Sequence, residues 1–145
     1  MILIERPEAM TAHPGQVSFP GGKVDAADAS PVETALREAE EEIGLVRGTV
    51  EVLGFLDCYQ VGSGFRVVPV VGLVTPPFTL HVNACEVADA FEVPLAFLMD
   101  GDNHQKRSRE VRGQTQWFYA MPYEGRYIWG ATAAMIRNLF ERLVG

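Results

Sequence analysis

A chain of 145 residues is the size of one domain, long enough for a core of its own and short of a second. Its 48% hydrophobic and 21% charged content excludes disorder, and no apolar run reaches the roughly 18 residues of a membrane span, so neither a disordered nor a membrane protein is expected. A formal charge of −7 excludes diffuse affinity for nucleic acid or anionic lipid; a small phosphorylated ligand stays open if local cations hold it.

In chain order, "MILIER" reads as a short strand, and "AMTAHPGQVSF" as a loop that runs on to the Gly21-Gly22 pair. Ser30, Pro31 and Glu33 then mark a helix start: an N-cap, a proline at the first helical position and a glutamate placed to close a capping box. Gly44 is its stop. "TVEVLGFLDCYQ" and "FRVVPVVGLV" read as strands joined by Gly62-Ser63-Gly64, and their near-continuous apolarity predicts a sheet covered on both faces. "TPPFTLHVNACEVADAFEVPLAFLMDG" reads as loops and short elements, "HQKRSREVRG" as a basic loop, and "QTQWFYAMPYEGRYIWG" as two strands around Pro122 to Arg126. Met135, Ile136, Leu139, Phe140 and Leu143 recur at helical spacing and predict a terminal amphipathic helix docked on the sheet. The order of elements predicts one α/β or α+β sandwich domain over residues 1–145.

Cys58 and Cys85 form no spacing pattern, so neither a disulfide framework nor a zinc site is expected. We read them as small core or half-buried residues, in keeping with a reducing, cytoplasmic setting. Neither end of the chain shows a targeting signal, and none is expected. His81 and His104 receive no role.

The helix beginning at Pro31 carries its carboxylates in an unfavourable way. At about 100° per residue, Val32, Leu36, Ala39 and Ile43 form a stripe roughly 60° wide that should face the sheet. With Glu38 at zero, Glu41 lies at about −60° and Glu42 at about +40°, while Glu40 points nearly opposite. Like charges at these spacings cost a few tenths of a kcal/mol per pair, and the C-terminal end of the dipole also disfavours anions. A divalent cation such as Mg²⁺ or Mn²⁺ reverses that balance; a solvated acidic face is the plain alternative. The "FPGG" turn ahead of the helix lets backbone approach an ion closely, and Arg37, one turn before Glu41, can hold that carboxylate in place.

The segment Gly22 to Leu45 resembles the Nudix box, whose end reads R-E-U-x-E-E-x-G-U, with U aliphatic; here it stands as "REAEEEIGL". The front half departs from that pattern, with Asp28 in place of a glutamate and a loop one residue longer before Arg37. "HPGQVSFPGGKVDAADAS" is similar to the coenzyme A pyrophosphatase branch, as His13, Gly15, Gln16, Phe19 and both glycines match, and so are "FRVVPVVG", "EVADAFEVPL" and "YIWGATAAMIRNL". Arg6 matches too, although Ile4 and Thr11 replace a threonine and an arginine of that branch. The branch has a further strand ahead of this point, where this chain has only five residues before Arg6, which would leave a sheet edge unpaired.

The resemblance implies a Nudix fold, an α/β/α sandwich with a central mixed sheet, and hydrolysis of coenzyme A to 3′,5′-ADP and 4′-phosphopantetheine. It implies Mg²⁺ or Mn²⁺ held by Glu38, Glu41 and Glu42, with the Gly22 carbonyl as a fourth oxygen, and a catalytic group of Glu38, Glu41, Arg37 and Glu86. The general base is Glu38 or a later carboxylate, for which Glu86 is the candidate; an exposed loop carboxylate is an equal reading of Glu86. Candidates for substrate contact are Arg6, His13, Lys23 and Arg66, each of which also reads as a surface charge. Lys106, Arg107, Arg109 and Arg112 could reach the 3′-phosphate of coenzyme A, against a plain reading as a solvated basic loop. Asp25 and Asp28 read as loop-capping residues ahead of metal ligands. The expected partner is a small molecule, with no nucleic acid or membrane, and a homodimer is a candidate assembly. The rival readings are another Nudix substrate (ADP-ribose, NADH or an oxidised nucleotide), a non-catalytic Nudix-fold binding module, and an acidic interaction domain without metal.

Overall fold

The computed structural model describes residues 1–8, 15–62 and 64–145. Strand β1, Ile2–Glu5, sets the layers, because successive side chains of a strand point to opposite faces. Leu3 enters one core with Val17, Val93, Leu98, Met121, Ile128, Ala133 and Ile136. Ile4 enters another with Ala39, Ile43, Leu45 and Val87. The first core takes the helix near the C-terminus and the second takes the acidic helix, so the sheet of β1 lies between two helical layers, as an α/β/α sandwich requires.

That sheet is completed by β2, Val17–Ser18, and β7, Asp89–Glu92, which flank β1 and run antiparallel to it. Two further ribbons come from the Val-rich region: β3, Val50–Phe55, pairs with β6, Val70–Val74, and β4, Tyr59–Gln60, pairs with β5, Arg66–Val67. Each long strand read from the sequence is thus split in two. Pro69 has no N–H to give a ladder, while its carbonyl accepts from Leu56 N at 3.1 Å. The α/β class stands, but among the described residues every strand pairing is antiparallel and the strands form four separate sheets, where one central mixed sheet was expected. Nor is the β3–β6 ribbon covered on both faces: Leu53, Phe55 and Leu73 are all more than half exposed, and only Val50 and Val74 reach a core.

The stretch read as a basic loop is a strand, β8 (Gln105–Val111), paired along its length with β9 (Gln114–Ala120). Arg112 and Gly113, with φ of 52° and 76°, form the two-residue turn that matches the twist of such a hairpin. The second strand expected beyond Pro122 is reduced to single bridges, Ala120 with Trp129 and Tyr123 with Arg126. Helix α1 spans Pro31–Ile43, a short helix α2 spans Leu95–Leu98, and α3 spans Gly130–Leu143. On α3, Met135 and Ile136 are buried as expected, but Leu143 is exposed where the helix runs off the sheet. Both cysteines are free and exposed, Cys58 between β3 and β4 and Cys85 in the loop before β7, which corrects their reading as buried residues. Among the described residues no helix is long and apolar enough to cross a membrane.

Candidate functional site

The caps of α1 fix where its carboxylates project. The Ser30 side chain accepts from Glu33 N at 3.4 Å, and Gly44, at φ 68°, closes the other end with its N–H on the Glu40 carbonyl at 2.9 Å. Glu33 does not return to close the capping box; its carboxylate accepts from Arg47 instead. Ala39 and Ile43 point into the core, which leaves Glu38 half-buried and Glu40 and Glu41 exposed. Glu42 is the surprise of the helix. Although it belongs to the carboxylate face of the wheel, it is only 5% exposed, because the chain crosses over it twice.

One crossing is the glycine turn, where Gly21 N donates to Glu42 Oε1 at 2.8 Å. The other is the segment before β7: His81 N donates to the Ile43 carbonyl at 2.7 Å and Asn83 N to the Glu42 carbonyl at 2.9 Å. That segment carries Glu86, whose N–H closes a turn on Asn83. Burial first, then the charges of Glu38 and Glu86, push the Glu42 carboxyl up to about 7, against the opposing effects of the Gly21 hydrogen bond and the Arg6 charge. Glu38, Glu86 and Arg6 therefore all act on Glu42, which draws α1, the loop before β7 and the residue after β1 to one site.

Gly22 lies directly on the Glu38 carboxyl. A Cβ at that position would stand 2.6 Å from Glu38 Oε1, so the close approach needs a glycine. Arg37 organises the rest. Its guanidinium donates to Glu38 Oε1 at 2.9 Å and Glu41 Oε2 at 3.3 Å, and it grips both oxygens of Asp28 at 3.0 Å. It also reaches the Lys23 carbonyl at 3.3 Å, tying the glycine loop to the helix. The Asp28 side chain is 6% exposed, and its hydrogen bonds with Arg37 hold its carboxyl well below the usual carboxylate range. Asp28 also bonds Asp25 N and the Thr34 hydroxyl, so it caps its loop as well as anchoring Arg37. The anchoring was not read from the sequence; an acid nine residues ahead of an arginine, across a loop, gives no local signal.

The other candidates scatter. Lys23 is exposed with its Nζ 4.9 Å from the centre of the Phe65 ring, and Arg66 lies exposed on β5 opposite Gln60. His13 lies outside the described residues. His104, assigned no role, has partners on two sides: one ring nitrogen is 2.7 Å from the Leu98 carbonyl and the other is 3.2 Å from Arg137.

Among the described residues no group of three or more acidic, histidine or cysteine side chains converges as a ready metal cluster, since Arg37 draws Glu38 and Glu41 to itself. The donor set nonetheless fits a hard divalent cation. Carboxylate and backbone carbonyl oxygens are the ligands Mg²⁺ and Mn²⁺ prefer, and a buried carboxyl beside two other acids is a place where a cation relieves repulsion.

The site is thus a glycine loop laid on a helix whose carboxylates are ordered by one arginine. The sequence profile of the NUDIX domain matches residues 1–118, most of the chain, and the protein belongs to that family. It is accordingly a Nudix hydrolase, a pyrophosphatase. The chain is 43% identical over 143 residues to the uncharacterized Nudix hydrolase NudL of Yersinia enterocolitica, covering 99% of this chain and 73% of the relative. The proteins of the same description from Photorhabdus laumondii and from an Enterobacter species are 40% and 39% identical, over 76% and 72% of their lengths.

Proposed function

We propose that this Nudix hydrolase cleaves coenzyme A or a derivative of it, with Mg²⁺ or Mn²⁺, to 3′,5′-ADP and 4′-phosphopantetheine. The observation that carries the reading is the stretch His13 to Gly22, which resembles the coenzyme A pyrophosphatase branch and ends in the two glycines that meet Glu42 and Glu38. Glu38, Glu41 and Glu42 are the metal ligands, with the Gly22 carbonyl as a further oxygen. When bound, the cation neutralises the pyrophosphate oxygens and makes water more acidic.

The protein's own groups do the rest. Arg37 positions Glu38 and Glu41, and Asp28 positions Arg37. Glu38 or Glu86 takes a proton from the attacking water, whose oxygen bonds to one phosphorus as the P–O–P bridge breaks; each product leaves with a terminal phosphate. The effect of Glu86 on Glu42 supports its nearness to that chemistry. Arg6, whose charge also acts on Glu42, contacts the substrate phosphates, and His13, Lys23 and Arg66 are assigned to its remaining groups. A cytoplasmic setting goes with this reading and is supported by two free, exposed cysteines.

The test is chromatography of products after incubation with Mg²⁺ or Mn²⁺ and coenzyme A, ADP-ribose, NADH or 8-oxo-dGTP. Metal-dependent appearance of 3′,5′-ADP from coenzyme A is expected. Cleavage of another member of the panel, with coenzyme A untouched, would overturn the substrate and leave the hydrolase.

A further inference from the structure

A cavity of about 260 Å³ opens between β9, β4 and the start of α3, walled by Tyr59, Lys106, Trp117, Tyr119, Gly130 and Ala134. The sequence makes it in a traceable way. In the β8–β9 ladder Lys106 stands opposite Tyr119 and Ser108 opposite Trp117, so Lys106, Trp117 and Tyr119 share one face of the hairpin. Gly130 and Ala134, one turn apart on α3, face them with almost no side chain. Gly130 has φ +64°, and a Cβ there would meet nothing within 4 Å, so the space is open down to the backbone. Trp117 stays 64% exposed, with the Lys106 Nζ 5.7 Å from its ring. Large aromatics standing open around a recess with a cation at its edge are the furniture of a binding site rather than of a core.

The size and chemistry select the occupant. Whole drug-sized ligands occupy about 300–1,000 Å³, so this space suits one ring system with the rest of the molecule outside. Three aromatic walls favour a planar, stacking ring, and the lysine favours an anion beside it. Two segments lead from the cavity toward the glycine loop. From Tyr59 the β4–β5 hairpin runs to Phe65, whose ring meets Lys23, the residue after Gly22. From Gly130 the start of α3 runs to Thr132, whose hydroxyl donates at 3.0 Å to the Val17 carbonyl, four residues before Gly21.

We propose that this cavity holds the nucleobase of the substrate, stacked against Trp117 and Tyr59, with Lys106 taking a phosphate carried on the ribose. The inference rests on the nucleoside diphosphate reading above, and assigns Trp117, Tyr59 and Lys106 to substrate recognition. It is tested with adenosine 3′,5′-bisphosphate, which has no anhydride bond and so reports binding without turnover. In EDTA, the wild-type protein should bind it with quenching of tryptophan fluorescence. By calorimetry, Trp117→Ala and Tyr59→Ala, both shown folded by circular dichroism, should each bind it about tenfold more weakly or worse. Lys106→Ala should weaken the bisphosphate and leave adenosine unchanged.

Failure of the wild type to bind, unchanged affinity in both aromatic variants, or displacement by inorganic pyrophosphate as effective as by adenosine would overturn the assignment. Bisphosphate binding lost in the aromatic variants, in a protein that leaves coenzyme A uncleaved, would uphold the cavity while the substrate reading falls. Cleavage of coenzyme A with KM unmoved in both aromatic variants would do the reverse.

Discussion

Replacing Glu42 with glutamine removes one charge from under the glycine turn while keeping the oxygen that accepts from Gly21. The carboxyl is pushed up to about 7 in the fold from 4.5, chiefly by burial and then by Glu38 and Glu86. At about 1.4 kcal/mol per unit, the gap corresponds to roughly 3–4 kcal/mol between the two protonation states. The sign follows from proton counting. Between about pH 4.5 and 7 the folded protein binds more protons at this site than the unfolded chain, so the contribution is full below that window and is lost as pH rises through it. Asp28, whose carboxyl is held low by Arg37, acts in the opposite sense, and its contribution is lost only at more acid pH. Urea unfolding in EDTA at pH 5, 6, 7 and 8 should therefore show the wild type losing stability relative to Glu42→Gln by about 2 kcal/mol across the series. Excess Mg²⁺ should restore the wild type above pH 7 and leave the variant unmoved. A difference between the two proteins that stays constant with pH, or one that moves in favour of the wild type, would refute the buried, repelled state of Glu42.

Other perturbations address the frame around that carboxyl. Arg37→Ala leaves the Asp28 and Glu38 carboxyls without their cation; a lower midpoint in urea unfolding is expected, with a fall in kcat, and unchanged values in both would remove its positioning role. Gly22→Ala puts a Cβ 2.6 Å from Glu38 Oε1, and because a side chain end can move aside, it should cost turnover heavily and stability by less than about 1 kcal/mol; a normal rate would separate Gly22 from the chemistry. Ser30→Ala removes an N-cap whose hydrogen bond is long, 3.4 Å, and should lower stability by about 0.5–1 kcal/mol with kcat unchanged, as read by thermal melting and initial rates.

Features set by neighbours in the sequence were legible. The caps of α1, the start of β1 and the apolar stripe of α3 up to Leu143 follow from local spacing, and the structure has them where the residues indicate. Features set by crossings were not. The helical wheel puts Glu42 with Glu38 and Glu41 but is blind to the Gly21 turn and the segment before β7 that bury it. Strand β8 escaped because six of its seven residues are polar and exposed, so no alternation marks it; the Arg-Gly turn after it was the one available signal. The β3–β6 ribbon misled in the other direction, since continuous apolarity was read as cover and its middle lies open.

The central claim is that the carboxylates of α1 hold the metal on which hydrolysis depends. It is tested most directly by measuring Mn²⁺ binding by electron paramagnetic resonance and coenzyme A cleavage on the same preparations of wild type, Glu41→Gln and Glu42→Gln. Both variants should lose binding and turnover together while their circular dichroism stays that of the wild type. Tight Mn²⁺ binding with near-normal cleavage in either variant would contradict the assignment.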